Sequence, residues 1–260
     1  MPEVQVLRQL SYRSGDRSVP LYRCIGDATL FFQSKMSCDV DGAPNAYHSV
    51  NDDLALDTIN SAEGARLQGR SAGPLVCPPC NSIVAYCGGK PYVQPTGPFQ
   101  GFFVSRTTYE CPNYPDTDPR RYLDARNIPY VVLPEGLVPE AQIGDLAAVY
   151  DPVTRRVTYA VYGDMGPPTE CGEASLATLK NLGASLNDGK TSPNEDRHDL
   201  FYLVFPGTKR KLEHRMAWPP TAKRINKLGL AALQTWGGTD RIRTLLDHVH
   251  PTDAPIEQAG

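Results

Sequence analysis

At the centre of the chain the sequence reads Tyr162-Gly-Asp-Met-Gly-Pro-Pro-Thr-Glu-Cys-Gly-Glu-Ala-Ser175. Residues 157–162 lead into this stretch. The character of their side chains alternates with a two-residue period, which predicts a half-buried strand. After Glu173, leucines recur at a spacing of three and Gly183 follows as a C-cap, which predicts a short amphipathic helix. Asp164 should therefore lie at a strand end and Glu173 at a helix start. Such an arrangement can aim two carboxylates at one cleft, as glycosidases require.

The same two acids also have a purely structural explanation. Turns favour Asp, and the helix dipole favours an acid in the first turn of a helix. Both residues are therefore common at such places without any catalytic role. The choice between the two explanations depends on the rest of the chain.

The composition favours a β-rich globular protein. The chain of 260 residues contains 22 glycines and 24 prolines, and its apolar runs are short. It is long enough to bury a core, and it favours many short strands joined by turns over a helical bundle. We therefore expect a mainly β fold with peripheral helices, of the α+β class.

The charge pattern argues against a nucleic-acid or membrane partner. A net charge of −3 points to no polyanion. The basic segment 207–227 lacks the interleaved aromatic side chains that stack on bases, so a solvated face, or one suited to an anionic polymer, explains it better. No run is long and apolar enough to predict a transmembrane span. We expect no nucleic acid and no membrane insertion.

The first twenty residues of the sequence lack the apolar core of a signal peptide. We therefore expect synthesis in the cytoplasm without a signal peptide, unless a leader has been removed from the sequence. Export by a route that needs no cleavable signal stays open, and would bring the protein to cell walls.

No metal or other cofactor is predicted. The seven cysteines include a CxxC pair, Cys77 and Cys80, but a structural zinc needs four ligands and only Cys87 follows nearby. A loop disulfide or reduced thiols explain this pattern better. Residues 39–42, Asp-Val-Asp-Gly, resemble the start of a calcium loop, but the further oxygen ligands and the closing Glu are missing.

A dense polar cluster surrounds this Asp-Val-Asp-Gly turn. An Asp-Gly pair followed by Pro is ordinary turn chemistry. Sugars, however, are usually held by planar polar side chains beside an aromatic face, so the cluster can also line a sugar site. Its members are Lys35, Asp39, Asp41, Asn45, Tyr47 and His48.

Short motifs follow one another along the chain in a characteristic order. They are Ser34–Met36 with Asp39–Tyr47, then Phe102–Thr107, Asp124–Pro134, Gly144–Ala147, Gly163–Pro167, Gly172–Ser175, and finally Val204–Thr208 with Trp236–Gly238. Together they resemble glycoside hydrolase family 75, the fungal-type chitosanases, in its bacterial branch. The resemblance spans roughly residues 30 to 238, most of the chain.

The resemblance implies an endo-acting glycoside hydrolase that cleaves β-1,4-linked aminosugar polymers such as chitosan with inversion. The family's two essential carboxylates match Asp164 and Glu173. A helix N-terminus would keep Glu173 ionised as the base, and burial would raise the pKa of Asp164, the acid; the reverse assignment stays open. Glu170 is a nearby substitute of lower rank. The expected substrate-binding residues are Lys35, Asp39, Asp41, Asn45, Tyr47 and Ser105.

The resemblance also carries an expectation about architecture. The turn after the strand and the Gly-Glu-x-Ser helix start look like a double-psi β-barrel, so we expect a small six-stranded barrel with peripheral helices. The expected division of the chain is an N-terminal arm (1–29), a chitosanase-like domain (30–240), and a C-terminal helix and tail (241–260). Within the arm, residues 1 to about 20 are expected to form a loose arm or an edge strand.

Two other functions stay open. Typical secreted members carry a signal peptide, and residues 77–87 are not a motif of the family. The first alternative is a peptidoglycan-degrading muramidase or lytic transglycosylase that acts as a secreted antibacterial effector, with an immunity protein as a possible partner. The second is a barrel that binds glycans without cleaving them. The expected partner is a polysaccharide, chitosan or peptidoglycan.

Overall fold

Strands make up most of the regular structure. The computed structural model describes residues 3–11, 18–58, 83–136, 140–167, 171–184, 197–212 and 217–247. Eleven strands lie in these residues: β1 (Val4–Ser11), β2 (Ser18–Cys24), β3 (Leu30–Ser34), β4 (Ser37–Asp39), β5 (Tyr86–Cys87), β6 (Lys90–Pro91), β7 (Tyr130–Pro134), β8 (Leu146–Tyr150), β9 (Val157–Gly166), β10 (Glu173–Ser175) and β11 (Leu200–Phe205). The predicted mainly β, α+β class is confirmed.

Nine of these strands form one mixed sheet. Its order is β1-β2-β3-β11-β8-β9-β7-β10-β4, and β5 pairs with β6 in a separate ribbon. Most neighbours are antiparallel, but β7 runs parallel to β9, and β10 runs parallel to β4. The strands near the centre, β7, β8 and β11, are buried along their whole length, as strands covered on both faces must be.

Four α-helices accompany the sheet in the described residues: α1 (Leu176–Leu182), α2 (Thr208–Leu212), α3 (Ala222–Trp236) and α4 (Gly238–Leu246). The helix predicted after Glu173 corresponds to α1, and the predicted C-terminal helix overlaps α4. Thr221 begins α3 as its N-cap, and Gly183 ends α1 in a left-handed conformation. A 3-10 turn, Asp52–Leu54, lies in the loop after β4.

The core has two layers, one on each face of the sheet. On one face, apolar side chains of α3 and α4 such as Ile225 and Ile242 pack with Tyr130 and Val161. On the other face, Leu179 and Leu182 of α1 pack with Val131 and Ala160. Because side chains alternate along a strand, Tyr130 and Val131 serve opposite layers.

A hairpin turn at residues 151–155 joins the antiparallel strands β8 and β9. Asp151 closes it by accepting hydrogen bonds from the Val153 amide and the Thr154 hydroxyl, and it is bound by Arg197 at 2.6 Å. Burial opposes ionisation of Asp151, but Arg197 and these hydrogen bonds outweigh it and lower the pKa to about 2.

The six-stranded barrel is not confirmed. In the part of the chain that the structure describes, the sheet has nine strands and is open, with β1 and β4 at its two ends. The predicted N-terminal arm contributes strands β1 and β2 to this sheet. β2 pairs with β3, and its side chains Val19 and Leu21 are buried. β1 is thus an edge strand, and the proposed domain boundaries remain predictions. None of the described helices is long and apolar enough to cross a membrane.

Candidate active site

Asp164 lies within β9, two residues before the end of that strand. In the pairing with β7, Val131 faces Tyr162 and Val132 faces Asp164, so Gly163 is an extra residue, a β-bulge. A Cβ on Gly163 would come within 2.5 Å of the Tyr130 side chain. Only glycine fits there, and the bulge turns Asp164 onto the same face of the sheet as Tyr130 and Val132. The Gly-Asp pair therefore has a physical origin.

One oxygen of Asp164 accepts three hydrogen bonds. The Thr108 amide reaches Oδ1 at 2.9 Å, the Thr108 hydroxyl at 2.5 Å, and the Met165 amide at 2.8 Å. Asp164 is only 8% exposed. These donors fix the carboxyl group in a single orientation.

Asp39 and Asp41 lie beside Asp164. A carboxylate oxygen from each of the three residues falls within 4.8 Å of the others. Asp41 accepts hydrogen bonds from the Tyr47 hydroxyl at 2.8 Å and the Ser105 hydroxyl at 2.9 Å. Asp39 accepts one from the Asp41 amide at 2.7 Å. We call Asp39, Asp41 and Asp164 the carboxylate cluster.

The closeness of the cluster reveals strong curvature of the sheet. From β9 to β4 there are three strand steps, which would separate Asp164 and Asp39 by about 14 Å in a flat sheet. Two aspartate side chains cannot span that distance. The sheet therefore curls around the face of Tyr130, whose hydroxyl donates to the Asp41 carbonyl at 2.9 Å.

All three carboxyl groups of the cluster have raised pKa values. Burial raises the pKa of Asp164 to about 6, against the effect of its hydrogen bonds. Burial and then the charge of Asp164 raise the pKa of Asp39 to about 7. The pKa of Asp41 lies well above its ordinary value because of burial and both neighbours. Near neutral pH the cluster therefore retains protons that ordinary aspartates have lost.

Glu173 lies across β7 from Asp164. Val132 pairs with Asp164 on one side and with Glu173 on the other, so all three side chains share one face of the sheet. The Cα atoms of the two acids are separated by two strand steps, about 9–10 Å. The Glu173 carboxylate leans over β7, because its Oε2 lies 3.1 Å from the point that a Cβ on Gly166 would occupy.

The local structure of Glu173 differs from the prediction. Glu173 begins the short strand β10 rather than a helix, and Ser175 is the N-cap of α1. Ser175 takes that role because its hydroxyl oxygen accepts from the Thr178 amide. The helix dipole is therefore no longer the reason for an ionised Glu173. Asp164, predicted at a strand end, lies among the last three residues of β9.

Comparison with protein-family models gives one match over residues 76–229, to the family described as fungal chitosanase of glycosyl hydrolase group 75. The match covers more than half of the chain. The chain belongs to family 75. It is accordingly a glycoside hydrolase, and chitosan is the substrate that the family description names. A comparison with curated proteins gives no match.

The family 75 match includes both Asp164 and Glu173 but begins after Asp39 and Asp41. The structure nevertheless brings the opening motif of the sequence into the sheet through β4 and against Asp164. The predicted resemblance to family 75 is confirmed, while its bacterial branch stays a prediction.

The other predicted binding residues have different surroundings. Tyr47 and Ser105 are buried and hold Asp41. Lys35 lies between β3 and β4, where its carbonyl accepts from the Tyr202 hydroxyl, and Asn45 lies in the loop after β4, where its carbonyl accepts from the Leu56 amide. Their roles in binding remain predictions. Glu170 and the pair Cys77 and Cys80 are outside the described residues.

Sequence reasoning missed Thr108 and Tyr130. Thr108 follows directly after the family-like motif 102–107, and nothing in its spacing indicates a contact with Asp164. Tyr130 lies in an apolar strand, and the sequence pattern there predicts a core residue. Its side chain is fully buried, yet its hydroxyl supports the turn of Asp41. Both contacts join residues that are far apart in the chain, by 56 and 89 positions, and the sequence pattern does not encode them.

Among the described residues, the carboxylate cluster is the group whose atoms lie close enough to hold a cation. A metal ligand must be deprotonated, so a cation at this position would compete with protons for the three carboxylates.

Glu173 and Val132 lie close to the space that a side chain at position 166 would need. Replacing Gly166 by Ala places a methyl group 3.1 Å from Glu173 Oε2 and 3.0 Å from Val132 Cγ1. We expect the Glu173 carboxylate to shift. Because the sequence predicts Glu173 as one of the two catalytic carboxylates, kcat on chitosan should fall about 10- to 100-fold. Steady-state kinetics with circular dichroism as a folding control checks this. An unchanged kcat in a folded variant would contradict the described position of Glu173.

The carboxylate cluster also predicts how stability depends on pH. With folded pKa values of about 7 for Asp39 and about 6 for Asp164, the folded state binds more protons than the unfolded state above pH ~4. The free energy of unfolding should therefore decrease as pH rises from about 4 to 7, by at most about 1.4 kcal/mol per pH unit for each proton.

Scanning calorimetry between pH 4 and 8 measures this slope. Replacing Asp39 by Asn should flatten it, whereas replacing the surface residue Asp240, which is 89% exposed, should leave it unchanged. Stability that rises from pH 4 to 7 in the unmodified protein would contradict the protonated cluster.

Proposed function

We propose that this family 75 protein is an endo-acting chitosanase that hydrolyses the β-1,4 bond with inversion, with Asp164 as general acid and Glu173 as general base. The observation that carries the proposal is the asymmetry of the two acids. Asp164 is buried in a cluster of carboxyl groups, whereas Glu173 is half-buried, lies across β7 on the same face, and is not a member of that cluster.

The surroundings of Asp164 support its role as the acid. A general acid must be protonated at the working pH and able to lose its proton in the transition state. A pKa of about 6 gives Asp164 both properties in mildly acidic solution. Its neighbours Asp39 and Asp41 oppose its ionisation, as like charges do.

The separations of the acids support Glu173 as the base. An inverting enzyme needs about 6.5–9.5 Å between its two carboxyl groups, to leave room for the attacking water. Asp39 and Asp41 have oxygens within 4.8 Å of Asp164, which leaves no such room. The Cα atoms of Glu173 and Asp164 are two strand steps apart, about 9–10 Å, and Glu173 is not one of the three acids of the cluster.

In the proposed step, Asp164 transfers its proton to the glycosidic oxygen while the C1–O bond breaks. Glu173 takes a proton from a water molecule, whose oxygen attacks C1 from the opposite face of the ring. The product has the α configuration at its new reducing end. Proton exchange with solvent then restores protonated Asp164 and ionised Glu173.

The cluster also suits a cationic polymer. Asp39 and Asp41 are only half-buried, so solvent and substrate can approach them. The ammonium group of a glucosamine unit beside them would stabilise their ionised forms and leave the remaining proton to Asp164. Acetylated units lack this charge. Discrimination in favour of chitosan over chitin is therefore part of the proposal.

Product analysis by mass spectrometry tests the function. The protein is incubated with chitosan and, separately, with peptidoglycan sacculi, next to the variants Asp164→Asn and Glu173→Gln. Glucosamine oligomers that disappear in both variants are the expected result. Muropeptides from sacculi alone would transfer the assignment to the peptidoglycan alternative, and no product from either polymer would favour the glycan-binding barrel.

No observation favours an effector function or an immunity protein. Action on a polysaccharide outside the cell is the reason to retain export by a signal-independent route within the proposal. Detection of the native protein in culture medium, with a cytoplasmic enzyme as the lysis marker, tests it. Retention with the cytoplasmic marker would contradict it.

A further inference from the structure

The residue that contacts Asp164 most extensively is Thr108, which neither the sequence motifs nor the family match singles out. Its amide and its hydroxyl both donate to the same atom, Asp164 Oδ1, at 2.9 and 2.5 Å. The following residue, Tyr109, donates its amide to the Gly163 carbonyl at 2.8 Å. Residues 108 and 109 are therefore hydrogen-bonded to the bulge of β9, at Asp164 and at the residues on either side of it.

The direction of the Thr108 hydroxyl proton follows from its other contact. The Met165 amide lies 3.2 Å from Thr108 Oγ1 and 2.8 Å from Asp164 Oδ1. An amide is always a donor, so it occupies a lone pair of the hydroxyl oxygen, and the hydroxyl proton points to Asp164. Thr108 therefore acts as a donor to Asp164 in the described geometry.

Three donors converging on Oδ1 decide where the proton of a neutral Asp164 can be. A proton on Oδ1 would face the two amide protons and the hydroxyl proton, and it would displace at least one of these hydrogen bonds. A proton on Oδ2 leaves all three bonds intact. Oδ1 is therefore the oxygen that stays an acceptor throughout.

We propose that Thr108 is a positioning residue for the general acid, holding Oδ1 of Asp164 so that Oδ2 carries the proton delivered to the leaving oxygen. This inference rests on the proposed function. Thr108 itself does not touch the reacting atoms, and it acts through Asp164. The same segment carries Ser105, whose hydroxyl donates to Asp41 at 2.9 Å, so one segment contacts two members of the carboxylate cluster.

The effect on titration has a definite sign. Hydrogen bonds donated to a carboxylate favour its charged form and lower its pKa, and those from Thr108 act on Asp164 in that direction. Removing the hydroxyl alone should move the pKa of Asp164 further up from about 6. The other titratable groups that face Asp164 are unchanged by this substitution: Asp39, Asp41, Arg106, Tyr130 and Tyr162.

The test compares Thr108→Val, which keeps shape and the amide, with Thr108→Ser, which keeps the hydroxyl. The pKa of Asp164 is followed by carboxyl ¹³C NMR, with the signal assigned by its loss in Asp164→Asn. Thr108→Val should raise this pKa and lower kcat on chitosan about 10- to 100-fold, with the basic limb of the pH–rate profile moving to higher pH. In Thr108→Ser, the pKa of Asp164, kcat and the pH–rate profile should all stay close to those of the unmodified protein.

The two parts of the experiment fail separately. If the unmodified protein does not hydrolyse chitosan, the proposed function is wrong, and the NMR titration still reports on the contact. An Asp164 pKa that is the same in Thr108→Val as in the unmodified protein overturns the positioning role. A fall in kcat that Thr108→Ser does not restore also overturns it, since a merely structural role would produce that pattern.

Discussion

Replacing Asp164 by Asn is expected to abolish hydrolysis of chitosan, lowering kcat by at least about 10³-fold, and at the same time to make the protein more stable at neutral pH. Asn cannot donate a proton to the leaving oxygen, and general acid catalysis is worth about 10²–10⁴ in rate, more where the leaving group is poor. Its side-chain oxygen can still accept the hydrogen bonds that Thr108 and Met165 give to Oδ1.

The gain in stability has its origin in the carboxylate cluster. Asp39, Asp41 and Asp164 repel one another when ionised, and the pKa of Asp39 is about 7 partly because of the charge on Asp164. Removing one of the three charges relieves this repulsion. We expect the melting temperature at pH 7.5 to rise by about 2–6 °C. At pH 4, where the cluster is protonated, the difference should vanish.

The matched control for this experiment is Asp118→Asn. Asp118 is also an aspartate bound by a neighbouring backbone amide, but its partner Arg120 is largely exposed and the pair lies on the surface. That variant should retain full activity and gain no stability. If Asp164→Asn is inactive but less stable than the unmodified protein at pH 7.5, this result contradicts the electrostatic repulsion that we assign to Asp164.

Replacing Glu173 by Ala should also lower kcat by at least about 10³-fold, but azide should restore part of the activity. The small anion needs no base, so it can attack C1 in place of water while Asp164 still protonates the leaving oxygen. The product of an inverting enzyme is then the α-glycosyl azide, formed as the C1–O bond breaks and a C1–N bond forms. Mass spectrometry and NMR of the product identify it.

Two controls sharpen this experiment. Glu135→Ala removes an exposed glutamate just after β7, and it should have normal kinetics without azide. Asp164→Asn should not respond to azide, since its missing function is the acid. A β-glycosyl azide would contradict the inverting mechanism. Rescue of Asp164→Asn instead of Glu173→Ala would mean that the two assigned roles are exchanged.

The sequence was sufficient for the elements that depend on local pattern. The alternation before Asp164, the leucine spacing after Glu173 and the glycine at position 183 correctly indicated β9 and α1. The predicted start of that helix, at Glu173, is three residues too early, because the helix begins at Leu176 with Ser175 as its N-cap. The error matters because it removes the helix dipole from the argument for Glu173 as base.

The carboxylate cluster could be predicted only in part. Asp39, Asp41 and Asp164 were all expected at the site, from a polar turn and from the Gly-Asp motif. Their approach to within 4.8 Å is a product of sheet curvature, and the order of strands places β4 three steps from β9. Long-range geometry of this kind leaves no periodic trace in a sequence, and for the same reason Thr108 was missed.

The most direct test of the two-carboxylate inverting mechanism is ¹H NMR of the reducing ends that appear in the first minutes of chitosan hydrolysis. Mutarotation is slow enough at mildly acidic pH for the initial anomer to be observed. We predict that the α anomer appears first and that the β anomer grows only later. Initial formation of the β anomer would mean a retaining enzyme and would contradict the roles assigned to Asp164 and Glu173.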